Sequence, residues 1–155
     1  MDSPAALNDT LNRIKDIFDN QIPFNRVLGL EVKSLAGGCP KIGFKMQEAL
    51  IGNYMRGSLH GGVISAVIDV TGGLAAFLGL QEKLAGEPLN IRLESFSKLG
   101  TIDLRVDYLR PGVGRFFEAT GSVLRTGNRV AVTRIELQND MEQLIAVGTG
   151  AYVIA

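Results

Sequence analysis

From residue 101 onward, apolar and polar side chains alternate with period two. Ile102, Leu104, Val106 and Tyr108 interleave with Thr101, Asp103, Arg105 and Asp107, as expected of a strand with one buried face. Pro111-Gly112 ends that run, and three further strands are predicted over 115–124, 130–137 and 144–153. Thr126-Gly127-Asn128 and Asn139-Asp140 separate them as turns. Near the N-terminus the period changes. Leu11, Ile14, Ile17 and Phe18 recur at helical spacing, predicting an amphipathic helix over 9–20 that Pro23 terminates. Residues 24–30 lead into a strand over 31–35. Gly37-Gly38 turns the chain, and a second strand over 41–47 completes a hairpin, with Ile42, Phe44 and Met46 on one side.

Between these two strand-forming regions lies Asn53 to Leu80, NYMRGSLHGGVISAVIDVTGGLAAFLGL. It reads as the end of a loop over 48–59 and then one apolar helix over about 60–80. Residues 81–99 are less regular. Gly86 and Pro88 interrupt Leu84, Leu89, Ile91 and Leu93, which predicts two short helical pieces or a lid-like insertion. One domain follows from this order. It is α+β: an antiparallel sheet wrapped around one long central helix, with an extra helix at the N-terminus.

The chain has 155 residues, long enough to fold around its own core without disulfides or metal. Lys and Arg number 16 and so do Asp and Glu, so no basic footprint for nucleic acid is present. Cys39 is the sole cysteine, which excludes an internal disulfide and gives no zinc spacing. The N-terminal stretch is polar and mixed in charge rather than signal-like, so a soluble cytoplasmic protein is expected. Residues 61–80 are of membrane-span length. Asp69 in their midst and the alternating strands that follow favour a buried helix in a soluble domain.

Asp69 is the awkward residue. On a helical wheel its face carries Gly62, Ser65, Ala66, Gly72, Gly73 and Ala76, all small. The opposite face carries Ile64, Val67, Thr71, Leu74 and Leu78, suited to packing on a sheet. A buried acid in a groove of small side chains is expected, open to a ligand or to a second subunit. Either a structural ion pair with an arginine or a general base would suit such an acid. Gly61 and Gly62 are expected to present free N–H groups at the helix N-terminus, where they can stabilise an oxyanion. His60 is expected to fix the turn by hydrogen bonding. Gly61 and Asp69 stand eight residues apart, about 12 Å along a helix. They cannot serve one reacting carbon from one helix, so a homodimer with composite sites is expected.

Asn53, Gly57, His60-Gly61-Gly62 and Asp69, with Thr101-Ile102-Asp103 and Tyr108-Leu109-Arg110-Pro111-Gly112, resemble the hotdog-fold acyl-CoA thioesterases of the PaaI-like group. Phe24-Asn25-Arg26 and Arg125, Gly127-Asn128 and Val130-Ala131-Val132 resemble its YigI branch. The resemblance covers about residues 23–152. It implies that Asp69 is the catalytic carboxylate, as base or as nucleophile, and that Gly61 donates to the thioester carbonyl. It further implies that Asn53 and Thr101 hold thioester and water, and that His60 supports the turn. Asn53 stands seven residues before His60, where the group often has six, and Tyr54 takes that six position.

The expected activity is hydrolysis of a medium- to long-chain or aryl acyl-CoA, without metal or redox cofactor; coenzyme A enters only as part of the substrate. Gly62, Tyr54, Arg56, Arg110, Arg125 and Asn128 are candidate substrate contacts, with Arg129 beside them. Phe24, Leu28, Met46, Tyr54, Met55, Phe77 and the 81–99 insertion are candidates for the acyl slot. No nucleic-acid or membrane partner is expected; a homodimer is, possibly a dimer of dimers. A hotdog dehydratase or hydratase would need a histidine over the acyl carbons, whereas His60 sits at the turn. A non-catalytic acyl-CoA-binding module would have no use for Asp69.

Overall fold

The computed structural model describes residues 3–155. The first helix, α1, spans Pro4–Asp16 and begins earlier than its apolar spacing suggests. Ser3 caps it, its Oγ accepting from the Ala6 N–H at 3.2 Å, and Pro4 occupies the first turn. A wide turn over Ile17–Gln21 follows. Residues 23–28 form a second helix, α2 (Pro23–Leu28), where the sequence suggested an approach to a strand. Pro23 ends one helix and, with its fixed φ, starts the next. Gly29, at φ 69°, terminates α2 in the left-handed region that favours glycine.

Strands β1 (Glu31–Ser34) and β2 (Lys41–Lys45) form the expected hairpin. The predicted loop at 48–59 contains a small second hairpin of its own, β3 (Ile51–Asn53) with β4 (Ser58–Leu59). Helix α3 then runs Gly61–Lys83. Two short helical pieces follow, α4 (Leu89–Glu94) and a tight turn over Ser95–Lys98. Strands β5 (Gly100–Tyr108), β6 (Phe116–Thr126), β7 (Val130–Asn139) and β8 (Leu144–Val153) complete the chain.

The main sheet has the order β1-β2-β6-β7-β8-β5, antiparallel throughout. Thus β6, β7 and β8 form a meander. Strand β5, expected to continue it, instead lies beyond β8 at the far edge, because residues 109–115 carry the chain across the sheet. This is the hotdog arrangement, with the sheet wrapped around α3.

Side chains on the inner face decide how near α3 can come. On β8 the inward positions are Ala146, Gly148, Gly150 and Tyr152, three small residues and one large. The Tyr152 ring lies over Gly150 and reaches the helix at Gly72 and Gly73. On β6, Gly121 sits under the Thr71 carbonyl and the Ala75 methyl. The helix face carrying Ile64, Val67, Leu74 and Leu78 is buried as expected.

The small-residue face behaves differently along its length. Gly61 and Gly62 are exposed and Ser65 and Ala66 half-buried, but every residue from Thr71 to Gln81 is buried. Gly72 therefore serves sheet packing rather than a groove open to a partner. Residues 81–99 fold back along the second half of α3. Phe96 packs edge-on against Phe77 at 5.4 Å and Phe18 at 5.8 Å. Buried Arg92 and Gln81 bond each other through side chain and backbone. The apolar run of membrane-span length is thus the core helix of this domain.

His60 starts α3 by capping it, its Nδ1 accepting from the Gly62 N–H at 2.8 Å. His60→Ala is expected to lower stability by about 1 kcal/mol, and His60→Asn, which can cap in the same way, to recover most of it. Urea unfolding of both variants checks this. At Gly72, alanine would improve helix propensity by about 1 kcal/mol. Its methyl would however press on the Tyr152 hydroxyl and lie 2.9 Å from Ile135 Cδ1 and Thr133 Oγ1. Overpacking in a filled core costs about 1–3 kcal/mol, so Gly72→Ala should lower the unfolding midpoint, not raise it.

Candidate active site

Two depressions flank α3. The first surrounds Asp69, which projects from the third turn of the helix and is half-buried, not fully buried as the sequence suggested. Thr101, at the start of β5, donates its Oγ1 hydrogen to Asp69 Oδ1 at 2.8 Å. The Tyr152 hydroxyl donates to the Asp69 backbone carbonyl at 3.0 Å. Burial, with the nearby Asp69 charge adding to it, pushes the Tyr152 hydroxyl well above the usual tyrosine range. It therefore stays a hydrogen-bond donor across the working pH range. These groups border a cavity of about 170 Å³ whose remaining walls include Phe18, Ile22, Val70, Phe96 and Leu99. A carboxylate at the wall of an otherwise largely apolar cavity can take a proton beside an acyl chain.

The second depression, of about 500 Å³, is lined by Gly52, Asn53, Tyr54, Met55, His60 and Gly61 among others. The hairpin β3–β4 forms one wall and the N-terminus of α3 the other. The Gly61 N–H meets no acceptor among the described residues, and Gly61 is exposed. Its carbonyl accepts from the Tyr108 hydroxyl at 3.2 Å. The Gly62 N–H, expected to be free as well, is taken by His60. One backbone donor is thus left to aim at a ligand. Asn53 Oδ1 accepts from the Arg56 N–H at 3.3 Å, a local turn contact.

Asn53, Tyr54, His60 and Gly61 are therefore brought together, and so are Asp69 and Thr101, but the two groups line separate depressions of one chain. Arg56 belongs to the β3–β4 hairpin. Arg110 stands two residues beyond Tyr108, with its Nη1 donating to the Leu144 carbonyl at 3.3 Å. Arg125 and Asn128 are elsewhere. With Arg129 they line a third depression at the β6–β7 turn. Lys83 Nζ bonds the Gly127 carbonyl there at 2.7 Å. That end of the 23-residue helix α3 lies about 33 Å from Gly61.

Of the acyl-slot candidates, Phe24 lines the Asp69 cavity, and the insertion supplies Phe96 and Leu99. Tyr54 and Met55 line the other depression. Phe77 lies buried behind Phe96, Leu28 is core and Met46 packs against the core. Sequence reasoning missed two polar members of the cavity. Tyr152 closes an inward row of small residues on β8, a pattern readable in the sequence only once its inward face is known. Asn25, read only as part of a motif, is 1% exposed. Its Nδ2 donates to the Phe18 carbonyl at 2.9 Å. Among the described residues, no group of three His, Cys, Asp or Glu side chains is placed to hold a metal.

This architecture has known counterparts. The chain is 41% identical over 157 aligned residues to the medium/long-chain acyl-CoA thioesterase YigI of Escherichia coli K12, covering 99% of each protein. A crystal structure from Shewanella oneidensis, of a protein related to the thioesterase superfamily, superposes with a TM-score of 0.93 at 43% identity, covering 99% of this chain and 100% of that one. The phenylacetic acid degradation protein PaaI of Thermus thermophilus, solved as a mutant, matches with a TM-score of 0.67 at 26% identity, covering 86% of this chain and 100% of that one. The Thioesterase superfamily profile matches residues 56–146. That span holds the Gly61 helix terminus, Asp69, Thr101 and the meander behind them, and the chain belongs to the thioesterase superfamily.

Proposed function

We propose that this protein hydrolyses acyl-CoA thioesters of medium to long chain length, as a homodimer in which each site combines Asp69 of one subunit with Gly61 of the partner subunit. The observation that carries this reading is the pairing of a Thr101-bonded carboxylate in a largely apolar cavity with a free helix-terminal N–H eight residues away. The full-length likeness to a medium/long-chain acyl-CoA thioesterase supports the substrate class.

In this reading the acyl chain enters the Asp69 cavity and the thioester carbonyl accepts from Gly61 of the partner subunit. Asp69 removes a proton from water as the water oxygen bonds the carbonyl carbon. The carbonyl electrons move onto oxygen, held by the Gly61 N–H. Collapse of that tetrahedral species breaks the C–S bond. Coenzyme A leaves as a thiol on taking the proton, and the acid remains. Neither a metal nor an electron carrier is called for by this bond exchange.

Several surfaces favour a second copy. Strand β5 pairs only with β8, which leaves a nine-residue edge carrying Ile102 at 57% exposure. A long edge with apolar side chains invites pairing with another strand. Tyr54 and Met55, at 86% and 84% exposure, stand at the tip of the β3–β4 hairpin beside Gly61. The first turns of α3 present only glycine, serine and alanine on the Asp69 side, so two antiparallel copies can approach there.

Free-thiol release from acyl-CoAs of increasing length tests the activity, and absence of release from every one sinks it. Asp69→Ala should lose nearly all turnover. Gly61→Pro is the sharper probe. Proline is favoured at the first helical position, and His60 already has an extended ψ of 137°, which suits a residue before proline. The substitution removes the N–H, and its Cβ would lie 3.5 Å from Tyr108 Cε1, an ordinary contact, so kcat should fall about 100- to 1000-fold with the fold retained. Unfolding and refolding the two inactive variants together should restore about a quarter of wild-type activity, since half the dimers then hold one intact composite site. No recovery on mixing would place both groups in one chain.

A further inference from the structure

Gly72 and Gly73 are neighbours in the middle of α3, and packing explains only the first. A Cβ at Gly72 would collide with Tyr152, Ile135 and Thr133. A Cβ at Gly73 would not. The nearest atoms it would meet are Tyr152 Cε1 at 3.5 Å, Tyr152 Cδ1 at 3.8 Å and Leu99 Cδ2 at 3.9 Å, all ordinary contacts. Gly73 lies within a continuous helix and has no left-handed φ, so its backbone does not call for glycine either. Alanine would favour the helix. What Gly73 does adjoin is the cavity beside Asp69. Tyr152 and Leu99, the residues nearest to an added methyl, are walls of that same cavity, so the methyl would project among its walls.

The helix gives that cavity a direction. Asp69, Gly73 and Phe77 follow at intervals of four residues and share one face of α3. Asp69 and Gly73 line the cavity, whereas Phe77 is fully buried. Phe96 packs edge-on against Phe77 at 5.4 Å and against Phe18 at 5.8 Å, and both Phe96 and Phe18 are cavity walls. Asp69 thus stands at one end of the row and the aromatic rings at the other. About 12 Å of helix axis separates Asp69 from Phe77, and the bare Gly73 backbone lies between them. Ile22, Val70 and Leu99 add apolar wall, which suits a hydrocarbon chain.

We propose that Gly73 is a specificity-determining residue: it leaves the clearance over which an acyl chain runs from Asp69 toward Phe96, and the Phe96 ring ends that run. With the carbonyl carbon held at Asp69, the chain reaches the Gly73 position one helical turn further on. This inference rests on the hydrolytic reading above, with the acyl chain in the Asp69 cavity. That cavity measures about 170 Å³. A methyl group is close in size to a water molecule, which takes about 30 Å³ in the liquid, so Gly73→Ala displaces about one or two chain carbons. Each methylene that loses its buried place costs about fourfold in kcat/KM. Shortening the ring at the far end, as in Phe96→Leu, has the reverse effect and admits a longer chain.

The test is the chain-length profile of kcat/KM, read as thiol release from saturated acyl-CoAs of increasing length, for wild type, Gly73→Ala and Phe96→Leu. The ratio between the longest and the shortest chain that wild type turns over should fall about 4- to 15-fold in Gly73→Ala, with the optimum moved to shorter chains. The urea-unfolding midpoint of Gly73→Ala should not fall, since the added methyl makes ordinary contacts. Phe96→Leu should move the optimum the other way, and a general loosening of the core does not produce shifts of opposite sign. A Gly73→Ala ratio within twofold of wild type overturns the proposal, even where absolute rates drop, because equal losses at every length mark a displaced Asp69 and not a filled slot. A lowered midpoint also overturns it, since packing would then hold Gly73 as it holds Gly72. An optimum that Phe96→Leu leaves unmoved overturns the placing of the chain end at Phe96; where that variant does not fold, Gly73→Ala alone decides. Wild type inactive on every acyl-CoA sinks the hydrolytic reading, whereas wild-type turnover with an unmoved Gly73→Ala profile sinks this inference alone.

Discussion

The close approach of α3 to β8 is the constraint on which the rest depends. Gly148 and Gly150 clear the inner face of the strand, Gly72 clears the helix, and the Tyr152 ring fills the space between. The tyrosine hydroxyl ends on the Asp69 carbonyl. One contact thus sets the helix depth and fixes the backbone that carries the acid. A bulkier residue at any of these glycines would lift the helix, and Asp69 would move relative to Thr101 on the neighbouring edge strand. Packing and chemistry share the same few atoms here.

Helix geometry imposes the second constraint. Gly61 and Asp69 belong to one rigid element, and about 12 Å along the axis separates them. No side-chain motion closes that gap. The β3–β4 hairpin lines the Gly61 depression and takes no part in the Asp69 cavity. His60 adds to this division by occupying the Gly62 N–H, which leaves a single backbone donor aimed outward. The exposed edge of β5 and the bare first turns of α3 are consistent with a partner that brings the halves together.

Residues 81–99 and the N-terminal helices supply much of the wall of the Asp69 cavity. Phe96 meets both Phe18 and Phe77 edge-on, and Phe18 and Phe96 line the cavity. Asn25 enters through the same N-terminal layer. The acid and its hydrogen-bond partners therefore come from the hotdog core, while much of the cavity wall comes from segments added to it.

The sequence by itself determined the α+β class, the long helix and its apolar face, and the distance between Gly61 and Asp69. All are consequences of local periodicity and of a fixed rise per residue. It also determined most strand positions, because alternation reports a half-buried face directly. It did not determine α2, where Pro23 served as both stop and start, or the β3–β4 hairpin, whose strands of three and two residues are too short for a period to register. Nor did it determine the order of strands, since β5 reaches its edge through a connection that leaves no local mark. Only the tertiary structure decided that Gly72 packs on Tyr152 instead of lining an open groove, that the Gly62 N–H is occupied, and that Asn25 lines the same cavity as Asp69. Each of these is a contact between segments distant in the chain or a choice between hydrogen-bond partners, and neither follows from the spacing of residues along one element.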